Sequence, residues 1–390
     1  MFLEARSFIY QLVGKFFGRL VIRTRPGQRR VLLACHNSMM ATYLSEVYDL
    51  MKHDPRIVVR LSVKTPEEYE GDEQVCRALF DCKYLKPRIS KLLPWDLVIM
   101  ANHPGVFKDV AKSARKVLRI PHGIGSKLVH GVDYMYNHYC FDDDGKLIYA
   151  RFFESSFDRQ SVAVSQNPQL EGKVGVVGSM RLDRVEAYRR SQIQPSEERP
   201  KQVLVISSWG AGNLFDYLQR FDFAEAARSL SGEFIFRLRP HPNLLSAINS
   251  DFDSFKEQLA EWEQLDNVEL SKPGEKLESD LTECDILLGD DLSSVSLFGV
   301  ALDMPMAIWK TSHPGVGEGT YLSRLSEILP CLEPGGDLGG VLRRAMEHSH
   351  SPARKELACG LRSYPGQAES RARAELYQLL ELSEPSSEHA

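Results

Sequence analysis

The chain has 390 residues, of which 43% are hydrophobic and 26% are charged. This composition is ordinary for a globular protein, and it excludes a wholly disordered chain and one that crosses a membrane many times. The 48 basic and 53 acidic residues give a formal net charge of -5, which argues against a protein that coats nucleic acid by neutralising phosphates. At this length two domains are expected, because one hydrophobic core seldom organises so many residues.

The first thirty residues differ in composition from the rest of the chain. Apolar side chains recur there at helical spacing, and basic side chains flank and interrupt them. The apolar stripe is shorter than the roughly 20 residues that a membrane-spanning helix needs, and no cleavage site of a signal peptide follows it. Two interpretations stay open for this amphipathic helix: residues 1–25 lie on a membrane surface, or the stripe packs on the chain's own domain.

Residues 31–195 alternate short apolar runs with amphipathic stretches, which is typical of parallel strands joined by crossover helices. Between residues 31 and 115 the pattern predicts a strand, a helix, two strands and a second helix. Further strands are predicted at 116–120 and 173–178. The acidic run 142–144 stands directly before Gly145, which indicates a solvated hairpin turn rather than a metal site. This part of the chain is predicted to be a Rossmann-like domain.

A polar, proline-containing stretch ends near residue 200, and a second alternating series follows it. The predicted elements of this series are strands in VLVIS, EFIFRLRP, NVEL, DILLGD and MAIW, and helices at 222–230, 252–264, from Ser293, at 338–347 and at about 367–382. We therefore expect a second Rossmann-like domain over 196–383, followed by a tail over 384–390 that is too polar to pack.

The seven cysteines stand singly in the sequence, and no two of them have the spacing of a zinc site. Such scattered cysteines are typical of a protein in a reducing cytoplasm. No cluster of histidine, cysteine and carboxylate residues has the spacing of a ligand set. The sequence therefore predicts neither a metal site nor a cofactor.

Three polar segments follow predicted strands, at the sheet edge where open parallel sheets bind their ligands. Two hydroxyls and the free N–H groups of a helix N-terminus in the third segment form a ready site for an anion. The residues of interest are His122, Gly123 and Lys127 in the first segment, Arg239 and His241 in the second, and Asp291, Ser293 and Ser294 in the third.

The chemistry of these side chains predicts their roles. His122 is the expected catalytic base, because a neutral imidazole accepts a proton near neutral pH; the alternative is a histidine that only shapes its loop. Arg239 and His241 are expected to contact phosphate, because guanidinium and imidazole donors suit phosphoryl oxygens; the alternative is a turn fixed by the flanking prolines. Ser293 and Ser294 are expected phosphate ligands, unless they only cap the helix.

Two further histidines follow strands of the first predicted domain. His36 comes after the first strand, and His103 comes after the strand DLVIMA. Because the carboxyl ends of parallel strands meet at one sheet edge, both side chains are candidates for the acceptor side of the site.

In this order the segments resemble the motifs of the CDP-glycerol glycerophosphotransferase family of teichoic-acid and capsule polymer synthesis. The resemblance spans about residues 95–310, and Met180 and Leu292 stand where the family has proline and tyrosine. The matches are His122, Gly123 and Lys127 to H-G-x-x-x-K, Gly178, Arg181 and Asp183 to G-x-P-R-x-D, Arg239, His241 and Pro242 to R-x-H-P, and Asp291, Ser293 and Ser294 to D-Y-S-S.

The resemblance implies a GT-B-like fold, in which two Rossmann-like domains face each other across a central cleft. It implies transfer of glycerol phosphate, or a related polyol phosphate, from a CDP-linked donor to a hydroxyl of a glycan or lipid-linked acceptor, with release of CMP. His122 and His241 would be the catalytic residues. Gly123, Lys127, Arg239, Asp291, Ser293 and Ser294 would hold the donor phosphates.

A lipid-linked acceptor would place the protein in the cytoplasm, on the inner face of the cell membrane through residues 1–25. Two alternatives remain. One is a GT-B glycosyltransferase of cell-surface polysaccharide synthesis that uses a nucleotide sugar, and the other is a nucleotide-binding subunit without activity. No nucleic-acid partner is expected.

Overall fold

The computed structural model describes most of the chain, in two α/β units. The described residues are 25–64, 72–101, 107–121, 123–124, 136, 140–142, 145–192, 199–209, 212–245, 252–271, 275–311, 321–347 and 351–385. His103, His122, Lys127, the acidic pair 143–144 and most of the N-terminal amphipathic segment lie outside these residues.

The first unit is a parallel sheet of seven strands with helices between them. Its strands are β1 (Arg29–Cys35), β2 (Ile57–Val63), β3 (Lys83–Tyr84), β4 (Trp95–Ala101), β5 (Ala114–Ile120), β6 (Arg151–Glu154) and β7 (Val174–Val176). Its helices are α1 (Ser38–Asp49), α2 (Asp72–Ala78), α3 (Pro87–Ser90), α4 (Lys108–Lys112), α5 (Phe157–Gln166) and α6 (Met180–Gln192), with a 3₁₀ turn at Pro168–Leu170.

The second unit is a parallel sheet of six strands. These are β8 (Lys201–Ile206), β9 (Phe234–Arg239), β10 (Val268–Leu270), β11 (Ile286–Asp290), β12 (Met306–Trp309) and β13 (Cys331–Leu332). The helices that follow α6 are α7 (Leu214–Arg220), α8 (Phe223–Ser229), α9 (Phe252–Trp262), α10 (Leu277–Glu283), α11 (Ser294–Ala301), α12 (Tyr321–Ile328), α13 (Leu338–Glu347), α14 (Pro352–Leu361) and α15 (Ala368–Leu380), with a 3₁₀ turn at Pro242–Leu245.

The central strands are apolar on both faces, which is why they lie in the middle of a sheet covered on both sides. In β1, Val31, Leu32 and Leu33 are fully buried: Val31 and Leu33 face one hydrophobic cluster, and Leu32 faces another. The central strand β11 of the second sheet is buried along its whole length. This pattern explains why the apolar runs in the sequence predict these strands correctly.

Each sheet has one point where the strand order reverses. The orders are β3-β2-β1-β4-β5-β6-β7 and β10-β9-β8-β11-β12-β13, so the reversals fall between β1 and β4 and between β8 and β11. In open parallel sheets a crevice forms at such a point, outside the carboxyl ends of the two strands, and ligands bind in it. The loops after β1, β4, β8 and β11 are therefore where a ligand is expected to bind.

The last helix packs on the first sheet, although its position in the sequence assigned it to the second domain. Ala368, Leu376 and Tyr377 of α15 are buried in the hydrophobic cluster of β1 and α1. Glu375 forms an ion pair with Arg151 of β6 at 2.5 Å. The chain thus crosses back after α14, because the apolar face of α15 covers first-domain residues that would otherwise be exposed to water.

Candidate functional site

Asp290 organises the reversal point of the second sheet. It ends β11, is fully buried, and its carboxylate accepts hydrogen bonds from the backbone N–H of Ser208 at 2.8 Å and of Leu292 at 3.2 Å. The hydroxyl of Ser208 donates to the same carboxylate at 3.1 Å. A buried carboxylate needs such donors. Asp290 therefore holds the loops after β8 and β11 together, a role that we did not predict from the sequence.

The two serines lie at the start of α11, where the sequence predicted them. Ser293 is the N-cap residue, and its Oγ accepts a hydrogen bond from the backbone N–H of Val295 at 3.2 Å. Ser294 is the first residue of the helix and is half-buried. The capping interpretation thus holds for Ser293, whose hydroxyl proton stays available for donation. The positive end of the helix dipole lies at this point.

Asp291 has a partner inside its own domain. Its carboxylate accepts hydrogen bonds from the backbone N–H of Thr311 at 3.0 Å and from the Thr311 hydroxyl at 2.5 Å. Burial raises the pKa of this carboxyl group, although the bonds from Thr311 oppose the shift. Asp291 therefore positions the loop after β12 next to the loop after β11. This contact differs from the phosphate-side role expected of Asp291.

Arg239 is held by one buried carboxylate and one backbone carbonyl oxygen. Its Nη1 contacts Oδ2 of the fully buried Asp280 at 2.5 Å, and its Nη2 donates to the carbonyl oxygen of Glu275 at 2.7 Å. Arg237, two residues earlier on β9, contacts the other oxygen of Asp280 at 3.4 Å. The side chain of Arg239 remains a quarter exposed. The carboxylate fixes the guanidinium plane, which leaves further N–H donors for a ligand.

His241 follows β9, and its ring orientation is fixed by the turn after it. Its Nδ1 accepts a hydrogen bond from the backbone N–H of Asn243 at 3.1 Å. In a neutral ring the proton then resides on Nε2, which makes this nitrogen a hydrogen-bond donor. His241 is thus suited to donate to an anionic oxygen, and it is poorly suited to act as a base.

The loop after β5 of the first domain approaches the second domain. A Cβ atom placed on Gly123, just after β5, would lie only 3.1 Å from Oγ of Ser294. The next residue, Ile124, is buried in the hydrophobic cluster around Leu204 and Phe298 of the second domain. The structure therefore brings the first and third predicted segments together, because Ile124 anchors one against the other. Neither His122 nor Lys127 is among the described residues.

The segment GSMRLD has an architectural role that its motif did not reveal. Gly178 has φ +90°, and a Cβ atom there would lie 2.9 Å from the carbonyl oxygen of Ser363; a side chain would be strained and would clash. The carboxylate of Asp183 accepts a hydrogen bond from the backbone N–H of Ala368 at 2.9 Å and contacts Arg362. Both residues thus fix the returning chain at the start of α15.

Arg181 joins the two domains through a buried ion cluster. Its guanidinium contacts Glu46 of α1 at 2.9 Å and Glu278 of α10 at 2.8 Å, and it lies 3.8 Å from the ring centre of Tyr43. The Arg181 side chain is 4% exposed. Burial raises the pKa of Glu46, although the neighbouring Arg181 opposes the shift. Separating the domains would expose this cluster to water.

A cavity of about 50 Å³ lies beside this cluster, lined by Glu46 and Arg181, by Pro121 and Gly123, and by Phe298 of the second domain. A typical ligand pocket holds roughly 300–1,000 Å³. The cavity is therefore a gap within the domain interface and not a site for a whole nucleotide donor.

The remaining predicted residue, His36, directly follows β1 and is half-buried at the reversal point of the first sheet. Asn37 next to it caps α1 by accepting a hydrogen bond from the backbone N–H of Met40 at 2.9 Å.

Within the described part of the chain, no group of three or more histidine, cysteine and carboxylate side chains could hold a metal ion. None of the described helices is long and apolar enough to cross a membrane.

No family model matches the chain, and no curated protein matches its sequence. Among solved structures, the wall teichoic acid polymerase TagF soaked with CDPG superposes with a TM-score of 0.59 at 13% identity, over 96% of this chain and 92% of that chain. The UDP complex of MnaA from S. aureus gives a TM-score of 0.55 at 12% identity, over 92% of this chain and 99% of that chain.

The UDP-GlcNAc 2-epimerase of Neisseria meningitidis bound to UDP-GlcNAc gives a TM-score of 0.54 at 14% identity, over 90% of this chain and 100% of that chain. At these identities the likeness concerns the fold. A wall teichoic acid polymerase thus shares the architecture of this chain. The chain has an α/β, GT-B-like fold of two Rossmann-like domains.

Proposed function

We propose that this protein transfers glycerol phosphate, or a related polyol phosphate, from a CDP-linked donor to a hydroxyl of a glycan or lipid-linked acceptor. The observation that carries the proposal is the close approach of Gly123 to Ser294. It brings the loop of the expected base against the helix start that is expected to bind phosphate. The fold shared with TagF and with structures bound to UDP and to UDP-GlcNAc supports a nucleotide donor at this cleft.

The donor diphosphate lies along the carboxyl edge of the second sheet in this proposal. Its negative charge is met by the hydroxyls of Ser293 and Ser294, by the first N–H groups of α11 and by the guanidinium group of Arg239. Nε2 of His241 donates to an oxygen of the departing CMP. These donors are fixed before the reaction begins, so they stabilise the developing charge without reorganisation.

The acceptor approaches from the first domain. Its hydroxyl oxygen attacks the distal phosphorus, the bond from that phosphorus to the bridging oxygen breaks, and CMP leaves with the electron pair. His122 takes the proton of the attacking hydroxyl. His36 and His103, which follow the two strands at the reversal point of the first sheet, are the proposed acceptor-side residues.

A GT-B glycosyltransferase is the second candidate, and the fold shared with enzymes bound to UDP and UDP-GlcNAc favours it. The same loops would then hold the diphosphate of a nucleotide sugar as leaving group. The products separate the two reactions. A glycerophosphotransferase yields CMP and a new phosphodiester, whereas a glycosyltransferase yields a nucleoside diphosphate and a new glycoside.

Arg239→Ala is expected to weaken binding of CDP-glycerol by roughly 10- to 150-fold, because a hydrogen bond to a charged group is worth about 1.5–3 kcal/mol. Isothermal titration calorimetry measures this change directly. Arg237→Ala is the matched control, since Arg237 shares Asp280 but lies two residues further from the carboxyl end of β9. Equal donor affinity in the two variants would show that Arg239 only neutralises Asp280.

We also propose that the protein associates with an anionic membrane surface through residues 1–25. The chain enters β1 from this segment at the amino edge of the first sheet, and Leu92 lies just before β4 at the same edge. Ile89 and Leu92 are exposed apolar residues, and the exposed cations Arg88 and Lys91 directly precede them. On such a surface the free energy of apolar insertion and the free energy of attraction to anionic lipid add to each other.

Truncation of residues 1–25 is expected to reduce co-sedimentation with anionic liposomes, and neutral liposomes should recover less of the intact protein. The fraction of protein in the pellet is the measurement. Equal recovery of intact and truncated protein would rule out this role for the segment and favour packing of its apolar stripe on the chain.

A further inference from the structure

Trp209 is an exposed tryptophan at the reversal point of the second sheet. It lies three residues after the end of β8, and its side chain is 54% exposed. The other three tryptophans, Trp95, Trp262 and Trp309, are each less than a tenth exposed. Large aromatic side chains are usually well covered, because their contact with water is costly. Trp209 stands at the sheet edge where open parallel sheets bind their ligands, so its open ring is a candidate contact for a planar ligand group.

The loop that carries Trp209 is anchored on both sides. Before it, the backbone N–H of Ser208 donates to the carboxylate of Asp290 at 2.8 Å. After it, Nε1 of Trp309 donates to the carbonyl oxygen of Gly212 at 3.0 Å, and the N–H of Gly212 donates to Asp216 at 2.7 Å. Hydrogen bonds at the described residues on either side restrict the positions of the Trp209 ring, which reduces the entropic cost of binding a ligand.

His241 lies beside Trp209, on the loop after the neighbouring strand β9. The two ring centres are 6.4 Å apart and the planes are inclined by 34°. This spacing is already that of an aromatic pair in contact, so no third ring fits between them. A planar ligand group can therefore stack only on the open face of Trp209, next to the histidine that we assign to the donor phosphates.

We propose that Trp209 is the platform on which the nucleobase of the donor stacks. This inference rests on the proposed function, since it assumes a nucleotide donor along this sheet edge. Every base has an aromatic face, so stacking is tolerant of base identity. Trp209 therefore contributes affinity for the nucleoside part of the donor, and other residues select cytosine or uracil.

The experiment uses the full chain and three probes: CMP, UMP and ribose 5-phosphate, which has no base. Trp209→Ala is expected to weaken CMP and UMP binding by about 5- to 150-fold and to leave ribose 5-phosphate binding unchanged. Trp209→Phe keeps a stacking ring and should retain most of the affinity. Leu245→Ala removes a different exposed apolar side chain from the loop after β9 and is the matched control.

Fluorescence gives an independent readout, because Trp209 is the exposed one of the four tryptophans. CMP should quench the emission of the intact protein and leave that of Trp209→Phe nearly unchanged. If Trp209→Ala binds CMP as tightly as the intact protein, the platform is wrong and the proposed function stands. If Trp209→Ala loses as much affinity for ribose 5-phosphate as for CMP, the ring does not contact the base. If the intact protein binds neither nucleotide, both proposals fail.

Discussion

Replacing His122 with alanine is expected to lower kcat by about 10²- to 10⁴-fold, with donor affinity nearly unchanged. The reason is that a general base acts on the proton of the acceptor and not on the donor. Pro121 and Gly123, which flank His122, lie at the carboxyl end of β5, where Gly123 approaches Ser294. Single-turnover rates and calorimetric donor binding, measured side by side, separate the two effects without reliance on KM.

Ser294→Ala is the matched comparison from the opposite side of the cleft. In the proposed function the Ser294 hydroxyl contacts phosphate in the ground state and in the transition state, so its loss should weaken donor binding as well as turnover. Near wild-type turnover in His122→Ala would refute the assignment of the base. His103, which follows β4 next to β5, would then be the candidate to test.

Arg181→Met is expected to destabilise the fold by about 3–5 kcal/mol, because it removes one partner of a buried ion cluster. Glu46 and Glu278 would then face each other without the cation that lies between them. This loss of stability should appear as a lower midpoint of unfolding in urea. Since the cluster joins both domains, we also expect the cooperativity of the transition to fall.

Arg184→Met provides the control on the same helix. Arg184 is more than a third exposed and contacts Asp49 at 3.7 Å, and exposed pairs of this kind contribute about 0–1 kcal/mol. A loss of less than about 1 kcal/mol in Arg181→Met would mean that water already reaches the cluster. The domain interface would then rest on the apolar contacts of Ile124 and Leu182.

The sequence predicts the central strands well, because a strand covered on both faces contains a continuous apolar run, as residues 31–35 of β1 and 286–288 of β11 do. It also places the polar segments correctly, since loops at one edge of a parallel sheet directly follow its strands. β6, by contrast, was not predicted. This strand is only four residues long, and it follows a segment for which the sequence predicts a hairpin turn.

Contacts between distant parts of the chain could not be predicted. Arg239 is a plausible phosphate ligand from its loop, but the carboxylate that holds it, Asp280, is 41 residues further on. Arg181 meets Glu46 across 135 residues. An amphipathic pattern shows that one face of α15 is buried, and it does not show which domain covers that face.

The proposed function is tested most directly by the identity of the nucleotide that is released. The full chain is incubated with a panel of CDP- and UDP-linked donors and a polyol or glycan acceptor. The proposed function predicts release of CMP from CDP-glycerol or a related CDP-polyol, together with a new phosphodiester, and loss of this release in His122→Ala. Release of UDP from a nucleotide sugar, with a new glycoside and no CMP from any CDP-linked donor, would contradict it.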